Sequence, residues 1–218
     1  MRAITKGKEP TSLTKHRRTP HCDYANYGSD EKQELREALV QEQRGICCYC
    51  MARIAPVGDS MKIEHWQCQE NYPARQLDYS NMLGACLGGE GQPGDKQHCD
   101  TRRGKKDLKF NPADPAHSIE QRVRFEIDGT ITSSDGEFNA QLHELLGLNI
   151  PVLKNRRKAV VDGLAIWLRD YRTRHHRGPD VATLQRMRAK RVPSTGQLDP
   201  FVNVAVWWLD QRLPRSAT

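Results

Sequence analysis

The chain has 218 residues, 37% of them hydrophobic, and its 34 Lys and Arg against 27 Asp and Glu give a formal net charge of +7. That length suits one domain with appendages or two small domains, and the basic excess favours a polyanionic partner, because neutralising phosphates releases counterions. No apolar run is long enough to span a bilayer and residues 1–8 lack the apolar core of a signal peptide, so no membrane-spanning helix is expected and the expected compartment is the reducing cytosol.

Residues 1–28 are basic and turn-rich, with Pro10, Pro20 and Gly28, and read as an irregular arm. Ser29 is placed to cap a helix over 29–44, with Asp30 and Glu31 at the positive end of its dipole and Gly45 just past its end. That helix delivers the chain to Cys47-x-x-Cys50. Residues 51–66 read as a short strand, a turn around Pro56-Val57-Gly58-Asp59, and a second strand over 61–66. Residues 67–80 are loop-like, and residues 81–85 are expected to begin a helix or its approach. Residues 87–98 hold four glycines and a proline and read as a flexible insertion.

Past Pro112 and Pro115 the composition changes. Residues 123–132 predict a hairpin turning at Asp128-Gly129. Residues 137–146 predict a helix that Gly147 ends. Asn149 is placed to cap a longer helix reaching about Arg174, with Leu153, Val160, Val161, Leu164, Trp167, Leu168 and Tyr171 on its apolar face. Its other face carries Lys154, Arg156, Arg157, Lys158, Arg169, Arg172 and Arg174, and reads as solvated surface or the dock of an acidic partner rather than a nucleic-acid groove. Further helices are expected over 180–191 and 200–212. Trp207-Trp208 on the last one suits a core or an interface.

Seven cysteines in a chain expected in a reducing compartment are more often metal ligands than disulfides. A CxxC knuckle lets two thiolates meet one tetrahedral ion, and Cys86 and Cys99 would complete a zinc set with Cys47 and Cys50. The spacing of the second pair is unusual, so Cys22, Cys48, Cys68 and His98 stay open as ligands, His98 first among them. Between the pairs stand Glu64-His65 and Asn81, and Asp100 follows Cys99. Alone, His65 would read as a core histidine and Asn81 as a helix cap. Together they offer a neutral imidazole able to accept a proton near neutral pH and hard oxygens suited to magnesium. Arg102, Arg103, Lys105 and Lys106 follow as candidate contacts to a phosphate backbone.

Gly-x-Cys-x-Tyr-Cys at 45–50, Ile-Glu-His at 63–65, Tyr-x-Asn at 79–81 and His-Cys-Asp-x-x-x-Gly-Lys at 98–105 resemble HNH endonucleases. More closely, they resemble PtuB, the HNH nuclease subunit family of Septu anti-phage systems, and relatives encoded with retrons. Residues 122–131, 146–149 and 155–157 are similar to that family's C-terminal part. The resemblance implies an α+β, mostly helical fold with a zinc-stapled ββα-metal core over 45–116. An N-terminal arm and lead-in helix over 1–44 would precede it, and a β-hairpin with a helical C-terminal region over 117–218 would follow. It implies Cys47, Cys50, Cys86 and Cys99 as structural zinc ligands and His65 as the general base. Asn81 would hold the catalytic loop or histidine in place, and Glu64 and Asp100 would ligate a catalytic magnesium or manganese ion. Glu64 stands where the wider superfamily usually has Asp, and Asp100 where it has His or Asn. The implied activity is metal-dependent hydrolysis of nucleic acid, DNA ahead of RNA, beside an ATPase subunit of the PtuA type. The alternatives are a non-catalytic zinc module that binds nucleic acid and an interaction subunit whose zinc shapes a docking face.

Overall fold

The computed structural model describes residues 1–214. Helix α1 (Thr11–His16) lies inside the N-terminal arm, and α2 (Ser29–Glu42) follows. Gly28 rather than Ser29 occupies the cap position of α2, and no side chain caps it. The chain then leaves α2 through Arg44 and Gly45, both at positive φ, into the first cysteine pair.

The strand expected before Pro56 is reduced to a single bridge between Ile46 and Arg53. Strand β1 (Met61–His65) pairs antiparallel with β2 (Met82–Cys86), in a register that sets Met61 against Cys86 and His65 against Met82. Residues 82–85 are therefore strand, not the start of a helix. A short apolar run is ambiguous by periodicity, and here all five residues of β2 are buried, so pairing with β1 decides. Gln43 locks β2 to the end of α2. Its amide accepts from Gly84 N (2.6 Å) and donates to Gly84 O (2.7 Å) and Ile46 O (2.9 Å). The absence of a side chain at Gly84 suits this close packing, since a Cβ would lie 3.0 Å from Ile54 Cδ1 and 3.2 Å from Gln43 Nε2 and would press both aside.

The Gly-rich stretch after β2 forms loops and one tight turn, and leads to the short α3 (Cys99–Arg103). Two antiparallel strands followed by a helix thus make the centre of the chain. Beyond it come α4 (Ile119–Arg122), β3 (Arg124–Phe125) and β4 (Ile131–Thr132), the last two being the expected hairpin at minimal length. Helix α5 (Gly136–Ala140) widens into a π-helical turn over Gln141–Leu145. Then follow α6 (Pro151–His175), α7 (Val181–Arg191) and α8 (Val202–Asp210). The fold is α+β with two small sheets, and helical segments cover about 45% of the chain, less than the majority expected. No helix among the described residues is long and apolar enough to cross a membrane. One buried core runs through all three segments of the chain, from Leu13 through Met82 to Trp208.

Two expectations for α6 change. Asn149 does not cap it; Ile150 holds that position and Pro151 opens the helix. The Asn149 amide instead pairs with Ile131, accepting from its N–H (2.9 Å) and donating to its carbonyl (2.8 Å), as a third strand would. Arg157 does not belong to a solvated basic face. It is 1% exposed and donates to Gly129 O (2.5 Å), Leu148 O (2.6 Å) and Asn149 Oδ1 (3.1 Å). Gly129 is essential to this approach: its φ is +86°, and a Cβ would collide with Lys154 O. Arg157→Ala would take the guanidinium donors from the Gly129 and Leu148 carbonyls, while Asn149 Oδ1 keeps its bond from Ile131 N–H, so we expect a loss of about 3 kcal/mol in urea denaturation, with an unchanged m-value. A loss under about 0.5 kcal/mol, the range of surface substitutions, contradicts the role given to Arg157.

Candidate metal centre and active site

The knuckle 47–50, the last residue of β2 and the first residue of α3 converge. The Sγ atoms of Cys47, Cys50, Cys86 and Cys99 all lie within 4.8 Å of one another, and all four residues are buried. Cys47 and Cys99 are 3.9 Å apart, and Cys50 and Cys86 are 3.6 Å apart. A tetrahedron with Zn–S bonds of about 2.3 Å has edges of about 3.8 Å, so the sulfurs could hold a structural ion such as zinc.

The surroundings suit charged sulfur. Cys86 N–H donates to Cys47 Sγ (3.3 Å) and Ala52 N–H to Cys50 Sγ (3.4 Å). His98 Nδ1 stands 3.2 Å from Cys99 Sγ, so His98 is outside the four-sulfur set and placed to donate to it. Buried Arg157 is close enough for its charge to act on Cys50 and Cys99. Burial first, and the neighbouring sulfurs of Cys47, Cys50 and Cys86 after it, push the thiol of Cys99 well up, so four thiolates together need a cation among them. Cys48, though buried, is not in the set; its backbone N–H donates to Gly84 O (3.0 Å). Cys68 approaches Lys105 O, and Cys22 approaches Arg17 O.

A second group of side chains sits beside this frame. Successive strand residues point to opposite faces, yet Glu64 and His65 are both buried, at 3% and 5% exposure. The Glu64 face packs on the knuckle and α3. Tyr49 donates its hydroxyl to Glu64 Oε1 (2.6 Å), and Arg103 Nη1 pairs with the same oxygen. Arg103 also donates to Tyr49 Oη (3.0 Å), His65 O (3.0 Å) and Trp66 O (3.2 Å). Asp100 lies next to Glu64. Burial first and the neighbouring Asp100 second push the Glu64 carboxyl well up, against the pull of Arg103. Burial alone would lower Arg103, but Tyr49, Glu64 and Asp100 hold it firmly protonated.

The His65 face is covered by Tyr24 of the arm, edge-on at 4.6 Å between ring centroids. His65 Nε2 lies 2.9 Å from Gln76 O, so it carries the proton and donates. That leaves Nδ1 as an acceptor, 3.0 Å from the Gln69 amide nitrogen. Burial lowers the His65 pKa, keeping the ring neutral. Asn81 is fully buried and pins the loop after β1: it accepts from Gln67 N (2.8 Å) and donates to Gln67 O (2.9 Å) and Arg75 O (3.1 Å). It thereby fixes the loop that carries Gln76 to His65.

Glu64, His65 and Asp100 share one open groove of about 210 Å³ with Gln69 and Lys105. A larger hollow of about 660 Å³ beside the Gly-rich loop contains His98 but no such joined carboxyl pair and imidazole, so chemistry rather than size marks the smaller groove. The basic run divides. Lys105 lines the groove and pairs with Glu70, and Lys106 is exposed. Arg103 is consumed by its buried partners and cannot touch a strand. Arg102 donates to Glu144 O (2.9 Å) and ties α3 to the end of the π-helical turn. Sequence reasoning gave no role to Tyr49, Gln69 or Gln43; Tyr49 had a signal in its position inside the CxxC pair. No family model matches the chain, and no curated protein is significantly similar to it.

Two substitutions separate the frame from the groove. Cys47→Ser is expected to lower both zinc content by elemental analysis and the melting temperature, since structural metal binding is folding energy. Tyr49→Phe should keep the zinc and lose about 1–2 kcal/mol in denaturation, because it leaves a buried carboxylate short of one donor. Full zinc in the serine variant contradicts the assignment of Cys47.

Proposed function

We propose that the chain is a zinc-stapled, metal-dependent nuclease of the HNH kind that hydrolyses phosphodiester bonds. The observation that carries this reading is the orientation of His65: its Nε2 proton is committed to Gln76 O, which leaves Nδ1 as the acceptor, held by the Gln69 amide, in a residue that lines one groove with Glu64 and Asp100.

In this reading, water replaces the Gln69 amide at His65 Nδ1. The imidazole takes a proton from the water as its oxygen attacks phosphorus. The bond from phosphorus to the departing sugar oxygen breaks, and that oxygen is protonated from solvent. Glu64 and Asp100 would hold the magnesium or manganese ion, which when bound neutralises charge growing on the phosphate and the leaving oxygen. Two carboxyl groups side by side supply the hard oxygens that suit such an ion, and binding it would displace the proton that burial and Asp100 favour on Glu64. Arg103 offsets part of their charge and keeps Glu64 aimed into the groove. Asn81 acts at one remove, through the loop bearing Gln76. Lys105 and Lys106 are left to steady the substrate backbone. DNA is the favoured substrate, and a defence complex with an ATPase partner follows from the resemblance alone.

The test is cleavage of DNA and RNA by the purified chain, with magnesium or manganese and with the ATPase partner. His65→Ala should lose about 100-fold to 10,000-fold in rate while keeping zinc and fold. Cleavage at the parental rate by that variant contradicts the reading. The pH profile offers a second check. Because burial lowers the His65 pKa, its base form persists below the ordinary value of about 6.5, and the rate falls only as pH drops through the lowered value. An acid limb above about 6.5 at saturating divalent ion would contradict the assignment of the base.

A further inference from the structure

The charge of this chain is unevenly placed. Residues 151–191 contain 12 Lys and Arg and 3 Asp and Glu, a net of +9, so with +7 for the whole chain all other residues together sum to −2. At the two ends of this helical pair the cations are neutralised, Lys154 by Asp128 and Arg188 by Asp210. Around the turn between α6 and α7 they are not. Arg172, Arg174, Arg177 and Arg186 are exposed and form no ion pair among the described residues. Asp180, the one acid of the turn, caps α7 through Thr183 N (2.8 Å) and feels the charges of Arg177 and Arg186 without forming an ion pair with either, so four arginines there share one carboxylate. Arg212, at the end of α8, stacks on Trp208 at 3.3 Å. Its pKa is lowered, by partial burial first and then by the neighbouring charge of Arg172.

Rings run along the same end of α6. Trp167, Tyr171 and His175 recur every four residues and so share one helix face. Trp167 and Tyr171 have centroids 5.9 Å apart; Tyr171 and His175 are 4.2 Å apart and tilted by 31°. The ladder ends in His175, which is exposed.

We propose that the α6–α7 turn, with this ring ladder, is a docking surface for single-stranded nucleic acid. Arginines outside any ion pair would track the phosphates, and the terminal rings offer faces on which bases stack. An acidic protein segment would use the arginines but not the rings, which is why the strand is the better match. The surface is built from elements other than those of the groove. Its test reads binding, not cleavage, so the nuclease reading and this one can fail separately.

The experiment is fluorescence anisotropy with a labelled oligothymidine of about 20 nucleotides, long enough to cover such a site. It is performed on the full chain carrying His65→Ala so that the strand stays intact. Reversing three charges with Arg172→Glu, Arg174→Glu and Arg177→Glu should weaken binding at least about tenfold and flatten the salt slope by about 2, at roughly 0.7 per phosphate contact. Tyr171→Ala should weaken it about fivefold or more through lost stacking. Circular dichroism melting verifies that each variant is folded, and if the triple variant is not, Arg186→Glu alone should flatten the slope by about 0.7. Unchanged affinity and slope in the charge variants overturn the proposal. So does equally tight binding of a duplex of the same length. Displacement of the strand by polyglutamate with no effect of Tyr171→Ala assigns the surface to an acidic protein and also overturns it.

Discussion

Four sulfur atoms that converge in the core hold the centre of this protein. Two strands of five residues cannot stand alone in water, and a five-residue helix cannot either. Their ends are Cys86 and Cys99, and both meet the knuckle of Cys47 and Cys50. An ion bound by four thiolates contributes on the order of 10 kcal/mol, comparable to the whole stability of a domain. Hydrophobic packing around Met82, Leu83 and Tyr49 surrounds this point, but the sulfurs decide which backbone segments meet.

The same frame sets the groove. Tyr49 sits inside the knuckle and Arg103 ends the helix that Cys99 begins, and both bind Glu64. The cysteine cluster and the carboxyl pair are therefore joined through two side chains rather than lying side by side by chance. His65 is held differently, from the opposite face of β1, by a loop that Asn81 anchors. One strand thus separates two supports: a rigid, charged one under Glu64 and a hydrogen-bonded loop over His65.

Much of this was legible in the sequence. The four sulfurs, the Glu64-His65 pair, Asn81, Asp100, the Asp128-Gly129 hairpin and the helix after Asp180 stand out by residue type and spacing. What was not legible depends on tertiary partners. Met82–Cys86 is too short and too apolar for periodicity to separate strand from helix, and only pairing with β1 decides it. Arg157 looks like one more surface cation on a basic helix until the hairpin brings three carbonyl-type acceptors to it. Arg103 likewise reads as a phosphate contact in a run of cations, but Glu64 draws it inward. Asn149 has the residue type of a cap, yet the unpaired edge at Ile131 competes for the same amide. In each case a polar side chain chose a long-range backbone partner that no local pattern announces.

The dependence of the groove on the sulfur frame is open to a single measurement. Titrating the protein's thiols with an organomercurial while following zinc release and nucleic-acid cleavage in the same sample tests it directly. The account predicts one zinc per chain, lost in step with cleavage as the four frame thiols react. Cleavage that persists after the zinc has left, or a protein that cleaves and never held zinc, would contradict it.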